Sequence, residues 1–213
     1  MTEYQQKKTG TTILGIVAKD GIVLAADRRA SLGGRIVGKK DEHKVVQILD
    51  NLALANAGNV SDIQLNIKIL RAQLKLMHLR RGKPASVKEA SNLLATMLFG
   101  NLRRSYFMLS IAEFLVAGYD ENGPQLYEAD PDGSLMLYKD YVCGGSGMLF
   151  ATGVLEANFK PGLSIQDATK LAIQAVQAAI ERDTGSGNGI DVLTITKAGV
   201  QKVYEKAVNM SIQ

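Results

Sequence analysis

Cysteine and histidine are scarce in this chain, and their scarcity excludes several classes of site. Cys143 is the one cysteine among 213 residues, so neither an intramolecular disulfide nor a cysteine cage for a metal can form. A lone cysteine is also typical of a reducing compartment, and we expect the protein in the cytoplasm. The two histidines, His43 and His78, lie far apart without metal-ligand spacing. A histidine-dependent triad is therefore disfavoured, and no metal or organic cofactor is expected.

Long apolar runs and concentrated charge are also missing. No run approaches the roughly 18 apolar residues of a membrane-spanning helix, and residues 1–10 lack the apolar centre of a signal peptide. The net charge of +4 is spread over scattered basic pairs with no aromatic residues between them, which disfavours nucleic-acid binding. With 46% hydrophobic and 22% charged residues, the sequence is typical of one soluble globular domain. We expect neither a membrane nor a nucleic acid as a partner.

Hydrophobic periodicity predicts strands and helices in separate blocks. Strands are predicted at 12–18, 22–26, 35–38, 45–49, 52–57, 114–119, 125–129, 134–138, near 142, 190–196 and 200–204. Helices are predicted from 60 to 81, from a capping box at 86–89 to 103, from near 146, and from a capping box at 164–167 toward 182. Blocks in this order favour an α+β fold, and the simplest packing is a four-layer α-β-β-α sandwich of two antiparallel sheets flanked by helix pairs.

Thr11 is the most informative residue, because loss of the polar segment 1–10 would make it an N-terminal threonine. Such a residue carries both a nucleophile and a base, since an α-amino group with a reference pKa of about 8 can accept the hydroxyl proton near neutral pH. The β-branch limits the orientations of the hydroxyl. The alternative is an ordinary strand position, because threonine suits strands.

Five other local features each have a structural interpretation, and some of them also admit a functional one. In the structural interpretation, Asp27 belongs to a charged turn and Lys44 is a solvated lysine at the start of an edge strand. If the two side chains are instead buried together, they would fix a cation beside the nucleophile. Gly58 is either a turn glycine or a source of an oxyanion-binding N–H. Ser146 fits a helix N-cap, and the glycine-rich segment 183–189 fits a helix C-cap and loop. A phosphate-binding loop is disfavoured there, since the glycine spacing matches no dinucleotide fingerprint.

Five segments in order resemble archaeal-type proteasome β subunits, members of the N-terminal nucleophile hydrolase superfamily. They are TGTT at 9–12, DGIVLAADRRAS at 20–31, NAGNVSDIQ at 56–64, GSGMLFATGVLE at 145–156 and RDTGSGNGIDV at 182–192. The resemblance implies the four-layer sandwich and a precursor that loses residues 1–10 by cleavage between Gly10 and Thr11. Residues 11–213 would then form one domain.

The resemblance also implies a set of site residues. Thr11 would be the nucleophile, and the Gly58 N–H would form the oxyanion hole. Asp27 and Lys44 would complete the core of the site. One inserted residue before Lys44 makes it, rather than His43, the better match, because it directly precedes the apolar pair at 45–46. The residues implied to hold the Thr11 amine and a proton-relaying water are Ser146, Asp183 and Ser186.

A substrate pocket is implied as well. Ser31 would bind the substrate backbone through its main chain. The implied pocket residues are Ala30, Glu42, Val46, Asn56, Val60 and Gln64. Asn56 is polar and Glu42 adds negative charge, which argues against a purely apolar preference at the cleavage site.

The expected activity is that of a threonine endopeptidase acting on unfolded polypeptides. The implied partners are proteasome α subunits, other β subunits in two stacked seven-membered rings, and a regulatory ATPase. Three rivals remain: a catalytically silent ring subunit, a small-molecule amidase with the same nucleophile, and an anion-binding module built on the glycine-rich loop. The full set of implied site residues argues against the silent subunit, which need not keep them.

Overall fold

A computed structural model of the chain describes residues 10–32, 36–104 and 111–207. Within these ranges the helices are α1 (Val60–Arg81), α2 (Val87–Arg104), α3 (Met148–Asn158) and α4 (Ile165–Arg182). The strands are β1 (Ile13–Ala18), β2 (Gly21–Asp27), β3 (Ala30–Leu32), β4 (Ile36–Lys39), β5 (Val45–Leu49), β6 (Leu52–Gly58), β7 (Ala112–Asp120), β8 (Gly123–Ala129), β9 (Leu135–Tyr138), β10 (Tyr141–Gly144), β11 (Gly189–Thr196) and β12 (Gly199–Ala207). None of the helices in the described ranges is long and apolar enough to cross a membrane.

Two five-stranded sheets dominate the fold. The first sheet has the strand order β10-β1-β2-β11-β12, and the second has the order β5-β6-β7-β8-β9. Every ladder in both sheets is antiparallel. Short loops connect most neighbours, as in β1 and β2, which pair from Ile13 opposite Ala26 to Ala18 opposite Gly21. Strands β3 and β4 form a separate small pair.

Three apolar clusters define the layers. Ile13 of β1 packs with Leu115 of β7 in the cluster between the sheets. The next residue, Leu14, packs with Ala172 of α4 in the cluster beneath the second helix pair, because successive strand residues face opposite sides of a sheet. A third cluster joins the second sheet to α1 and α2. The predicted α+β, four-layer α-β-β-α sandwich is confirmed.

Both predicted capping boxes form hydrogen bonds at the starts of their helices. Ser86 accepts a hydrogen bond from Glu89 N at 3.2 Å and returns its own N–H to the Glu89 carboxylate at 2.9 Å. Ser164 accepts from Asp167 N in the same way. The sequence did not predict β3, whose three residues are too few for a periodic signal, and residue 35 of the predicted strand 35–38 lies outside the described ranges.

Several chain segments meet at one end of the sandwich. Ile190 at the start of β11 pairs with Asp27 at the end of β2, and Ile13 pairs with Gly144 at the end of β10. In the second sheet, the segment just before β5 and the end of β6 lie at the same edge. They are joined there by a hydrogen bond from Asn56 N to Lys44 O at 2.9 Å. This edge carries the candidate site.

Candidate active site

Thr11 lies buried at the entrance to β1, with 4% of its surface exposed. Its backbone N–H donates to Ser146 Oγ at 3.1 Å, and its hydroxyl donates to the Gly10 carbonyl at 2.6 Å. Gly147 N donates to the Thr11 carbonyl at 3.2 Å. The hydroxyl therefore lies against the peptide bond that joins residues 10 and 11.

Asp27 forms a fully buried anionic centre next to this segment. Its Oδ1 accepts from Lys44 Nζ at 2.6 Å and from Thr12 N at 2.9 Å. Its Oδ2 accepts from Arg29 N at 2.9 Å and from Gly187 N at 2.8 Å. Four donors satisfy the carboxylate, as a buried charge requires. The interpretation of Asp27 as part of a surface turn is wrong.

Lys44 brings a buried cation to the same place. Its side chain is 5% exposed, which excludes the solvated edge lysine. Burial lowers the pKa of the Lys44 amine, although the charge and hydrogen bond of Asp27 oppose that shift. The backbone of Lys44 is also fixed, because its carbonyl accepts from both the N–H and the Nδ2 of Asn56, at 2.9 and 2.7 Å.

A chain of hydroxyl groups links the Thr11 nitrogen to a carboxylate. Ser146 accepts from Thr11 N and donates to Asp183 Oδ2 at 2.6 Å. Ser186 donates to the same oxygen at 2.7 Å and lies 2.7 Å from the Thr12 hydroxyl. Both serine hydroxyls donate to Asp183, which leaves the Ser146 oxygen free to accept from the Thr11 nitrogen.

The N-cap alternative for Ser146 is wrong. Helix α3 starts at Met148 with Gly147 as its N-cap, and no side chain caps it. Ser146 instead contributes its hydroxyl to the network just described. The C-cap interpretation of Asp183 is correct, since its N–H donates to Ala179 O, but its carboxylate has the additional partners Ser146 and Ser186.

Gly58 ends β6 with a φ of 125°, and a Cβ there would overlap the carbonyl oxygen of Ile111. Only glycine suits this position. Alternate residues of a strand send their N–H groups to the same side, and Asn56 N donates toward Lys44 O. The N–H of Gly58 therefore points away from β7 and toward the segment that precedes β5.

A cavity of about 410 Å³, counting its open mouth, lies beside Thr11 and brings most of the predicted substrate residues together. Its lining consists of Gly10, Thr11, Ala30, Ser31, Glu42, Lys44, Asn56, Ala57, Gly58, Val60, Ile63 and Gln64. Ala57 and Ile63 were not predicted. Val46 is not among these lining residues, and its side chain packs against the cluster between the second sheet and its helices. The Glu42 carboxylate lies 2.9 Å from Lys39 Nζ.

Gly10 is held tightly in front of the nucleophile. It is buried, and its N–H donates to Ser31 Oγ at 2.7 Å, so this contact uses the Ser31 side chain and not its main chain. A Cβ on Gly10 would overlap Gly185, and a Cβ on Gly185 would overlap Gly10. The last residue of segment 1–10 thus fits only because two glycines face each other. Residues 1–9 lie outside the described ranges.

His43, Asp191 and Glu205 offer ligand atoms within 4.8 Å of one another, as a metal centre would. Arg28 lies 3.3 Å from Glu205, and Lys202 lies 2.7 Å from the same side chain. Two cations already balance the two carboxylates, so little negative charge remains to attract a divalent ion. We interpret this cluster as an ion-pair network.

Besides Ala57 and Ile63, sequence reasoning missed two residues whose hydrogen bonds shape the site. Thr12 donates its N–H to Asp27 and places its hydroxyl on Ser186. Arg29 donates to the Asn188 side chain at 2.8 Å and to the Thr184 carbonyl at 2.8 Å, so it clamps the glycine-rich loop. The signal available for Arg29 was its place beside Asp27, which also fits a surface turn.

The arrangement is suited to acyl transfer. Thr11 supplies a hydroxyl, and the Asp27–Lys44 pair supplies a buried cation that shares the cavity with it. Ser146 and Asp183 hold the Thr11 nitrogen, and Gly58 lines the same cavity as Thr11. These are the parts of an activated nucleophile with an adjacent oxyanion donor.

Comparison with known proteins gives one consistent family. A sequence model of the family described as "Proteasome subunit" matches residues 7–195. The chain is 45% identical over 203 residues to "Proteasome subunit beta 2" of Pyrococcus abyssi, covering 95% of each chain. It is 39% identical over 209 residues to "Proteasome subunit beta" of Methanopyrus kandleri, covering 98% of each. It is 46% identical over 193 residues to "Proteasome subunit beta" of Halomicrobium mukohataei, covering 91% of this chain and 78% of that one.

Proposed function

This chain belongs to the proteasome subunit family, and we propose that it is a threonine endopeptidase whose nucleophile is Thr11 after removal of residues 1–10. One observation carries the proposal: Lys44, which forms a buried 2.6 Å contact with Asp27, lines the same cavity as Thr11. Such a pair is costly to bury and adds little stability by itself. Its position at the cavity that Thr11 lines supports a catalytic role.

Maturation uses the geometry at Gly10. Thr11 Oγ attacks the Gly10 carbonyl carbon, the C–N bond to Thr11 breaks, and an ester forms as the nitrogen gains a proton. Water then hydrolyses the ester and releases segment 1–10 with a new carboxylate. The hydroxyl already contacts the Gly10 carbonyl oxygen, and the absence of a side chain on Gly10 permits the tight turn.

The mature reaction follows the same course on a substrate peptide. The free Thr11 amine accepts the hydroxyl proton, Oγ forms an acyl ester, and the amine side of the substrate leaves with that proton. Water then restores the hydroxyl. Lys44 favours the neutral, basic form of the Thr11 amine as a nearby cation, and the Gly58 N–H stabilises the oxyanion.

Assembly partners follow from the family. A proteasome subunit works within the proteasome core with other subunits. We propose two stacked seven-membered β rings between rings of α subunits, a regulatory ATPase, and unfolded polypeptides as substrates. We also propose a cytoplasmic location. The cavity residues, including Glu42 and Asn56, would receive the substrate side chain next to the cleaved bond.

Coexpression with an α subunit, followed by mass spectrometry and N-terminal sequencing of the particle, tests the proposal. Removing ten residues from 213 leaves a β chain of 203 residues that begins with Thr11. Thr11→Ala should retain all 213 residues and lose peptide hydrolysis by roughly 10³-fold or more. Thr11→Ser is the matched control and should keep substantial activity, because hydroxyl and amine both survive.

The outcomes separate the rivals. Comparable hydrolysis by wild type and Thr11→Ala would refute the nucleophile assignment. An unprocessed and inactive wild-type chain in a complete particle would indicate a silent structural subunit. Cleavage of small amides but not of peptides would indicate an amidase. Phosphate binding without Thr11-dependent hydrolysis would indicate an anion-binding module.

A further inference from the structure

Gly10, the last residue before the proposed cleavage point, is held on both sides of its α-carbon. Its N–H donates to the hydroxyl oxygen of the buried Ser31 at 2.7 Å. In the peptide group that follows, Thr11 N donates to Ser146 Oγ at 3.1 Å, and the Thr11 hydroxyl donates to the Gly10 carbonyl oxygen at 2.6 Å. Both peptide groups that flank the Gly10 α-carbon are therefore fixed.

The fixing of both groups matters because the residue between them is glycine. Glycine loses more backbone freedom on ordering than any other residue, and its two rotatable bonds decide where its carbonyl carbon lies. Thr11 Oγ reaches that carbon only when the carbonyl group is turned toward it, and small misplacements of reacting atoms cost large factors in rate. The Ser31 contact thus restrains the torsions on which self-cleavage depends.

The contact between Ser31 and Gly10 is special to the uncut chain. When the bond between Gly10 and Thr11 breaks, Gly10 leaves, whereas the Thr11 nitrogen stays in the chain. A substrate residue with a side chain cannot take the position of Gly10, because a Cβ there would overlap the α-carbon of Gly185. Its backbone must follow a different path to Thr11. The Ser31 hydroxyl is therefore expected to matter more for release of segment 1–10 than for cleavage of substrates.

We propose that Ser31 is a positioning residue for maturation: its hydroxyl oxygen holds the Gly10 N–H so that the Gly10 carbonyl faces Thr11 Oγ. This role rests on the proposed function. Oγ adds to the Gly10 carbonyl carbon, the hydroxyl proton passes to the Thr11 nitrogen as the C–N bond breaks, and water hydrolyses the ester. No bond to Ser31 forms or breaks. Its main-chain role toward substrates, which the resemblance implies, uses different atoms.

The time course of maturation tests the proposal. Purified precursor chains are mixed with α subunits, and intact mass spectrometry follows conversion of the 213-residue chain to one that begins at Thr11. Ser31→Ala removes the hydroxyl and keeps the main chain, so conversion should slow by roughly five- to tenfold, as for the loss of one hydrogen bond. Ser31→Thr is the matched control, because it keeps the hydroxyl and suits a strand, and it should convert within about twofold of wild type.

Peptide hydrolysis separates maturation from the general integrity of the site. The kcat for a reporter peptide is measured per mature chain, counting only chains that begin at Thr11. Ser31→Ala should lower the conversion rate by at least about threefold more than it lowers this kcat. Equal losses in both steps would overturn the proposal, because a residue that merely supports the fold of the site would slow them alike. Unchanged conversion in Ser31→Ala, or conversion of Ser31→Thr as slow as that of Ser31→Ala, would also overturn it.

Hydrogen exchange measures the contact itself. Thr11→Ala should retain segment 1–10, so particles with this change alone are compared with particles that also carry Ser31→Ala. The exchange rate of the Gly10 N–H, resolved by fragmenting the peptide that contains it in the mass spectrometer, should rise by about fivefold or more in the double variant. Equal exchange rates would overturn the proposal.

Failure of the proposed function is distinguishable from failure of this proposal. A wild-type chain that is never cut in a complete particle would refute the proposed function. In that particle, exchange of the Gly10 N–H still decides whether the Ser31 hydroxyl holds Gly10.

Discussion

Lys44→Ala is the sharpest test of the site, because the side chain it truncates is both buried and charged. Lys44 and Asp27 have side chains that are 5% and 0% exposed, and their contact is 2.6 Å. The substitution removes the cation and leaves Asp27 buried without its charge partner. We expect a loss of activity together with a loss of stability.

The magnitude of the stability loss follows from the partners that remain. Removing one member of a buried ion pair costs about 3–5 kcal/mol. Asp27 keeps three backbone donors, from Thr12, Arg29 and Gly187, and the desolvation of Lys44 itself is relieved. We therefore expect the lower end, about 3 kcal/mol in the free energy of unfolding.

Urea unfolding of the β chain measures this value, with Thr11→Ala in every variant so that all chains have the same length. Peptide hydrolysis by particles with native Thr11 measures the activity, which should fall by roughly 10³-fold. Lys44→Met keeps most of the side-chain volume, so it separates the effect of losing the charge from the effect of the void that alanine leaves. Lys44→Arg should not restore activity, since the guanidinium is larger and planar.

His43→Ala provides the neighbouring control. The His43 side chain is 48% exposed and contacts Asp191 rather than Asp27, so we expect a change within about 1 kcal/mol and retained activity. A fully active Lys44→Ala protein with unchanged stability would refute the reasoning. Loss of activity in His43→Ala alone would show that the wrong residue had been assigned.

Two further predictions concern other carboxylates. Glu42 lines the cavity and pairs with the exposed Lys39, so a basic substrate side chain can replace that partner. Glu42→Gln should therefore lower the ratio of kcat/KM for substrates with arginine to kcat/KM for substrates with leucine at the cleavage residue by roughly fivefold. An unchanged ratio would refute this prediction. Glu113 has a folded pKa raised from 4.5 to about 7, so the native state loses stability as pH rises through that window. Glu113→Gln should therefore stabilise the fold at pH 8 by up to about 3 kcal/mol and have no such effect below pH 4.5, as urea unfolding at both pH values would show; equal differences at both would contradict it.

The order and type of the elements were readable from the sequence because they depend on local periodicity and capping. The apolar stripe of α1 and the capping boxes at 86–89 and 164–167 lie within single segments, and the structure confirms them. Strand β3 was not predicted, because it is too short to show a periodic pattern. The proposal of Thr11 as nucleophile also came from the sequence, since it depends on one residue and its neighbour Gly10.

The sequence was a poorer guide to which residues lie around Thr11. Val46 was assigned to the pocket from the resemblance, yet its face of β5 packs under the helices. Arg29 was indistinguishable from a surface arginine, and Glu113 carried no sequence signal at all. The sequence separates Thr11 from Ser146 by 135 positions, and only the pairing of β1 with β10 brings them within 3.1 Å.

The sequence by itself thus indicated the proposed reacting groups and determined the layered α+β arrangement, because both arise from residue chemistry and short-range pattern. The tertiary structure alone decided the burial of Lys44 and Asp27, the sharing of Asp183 between two serines, and the contact of Glu113 with the turn at 144–145. Burial and charge proximity depend on strand register across two packed sheets, and register joins residues too far apart in the chain for any local pattern to specify.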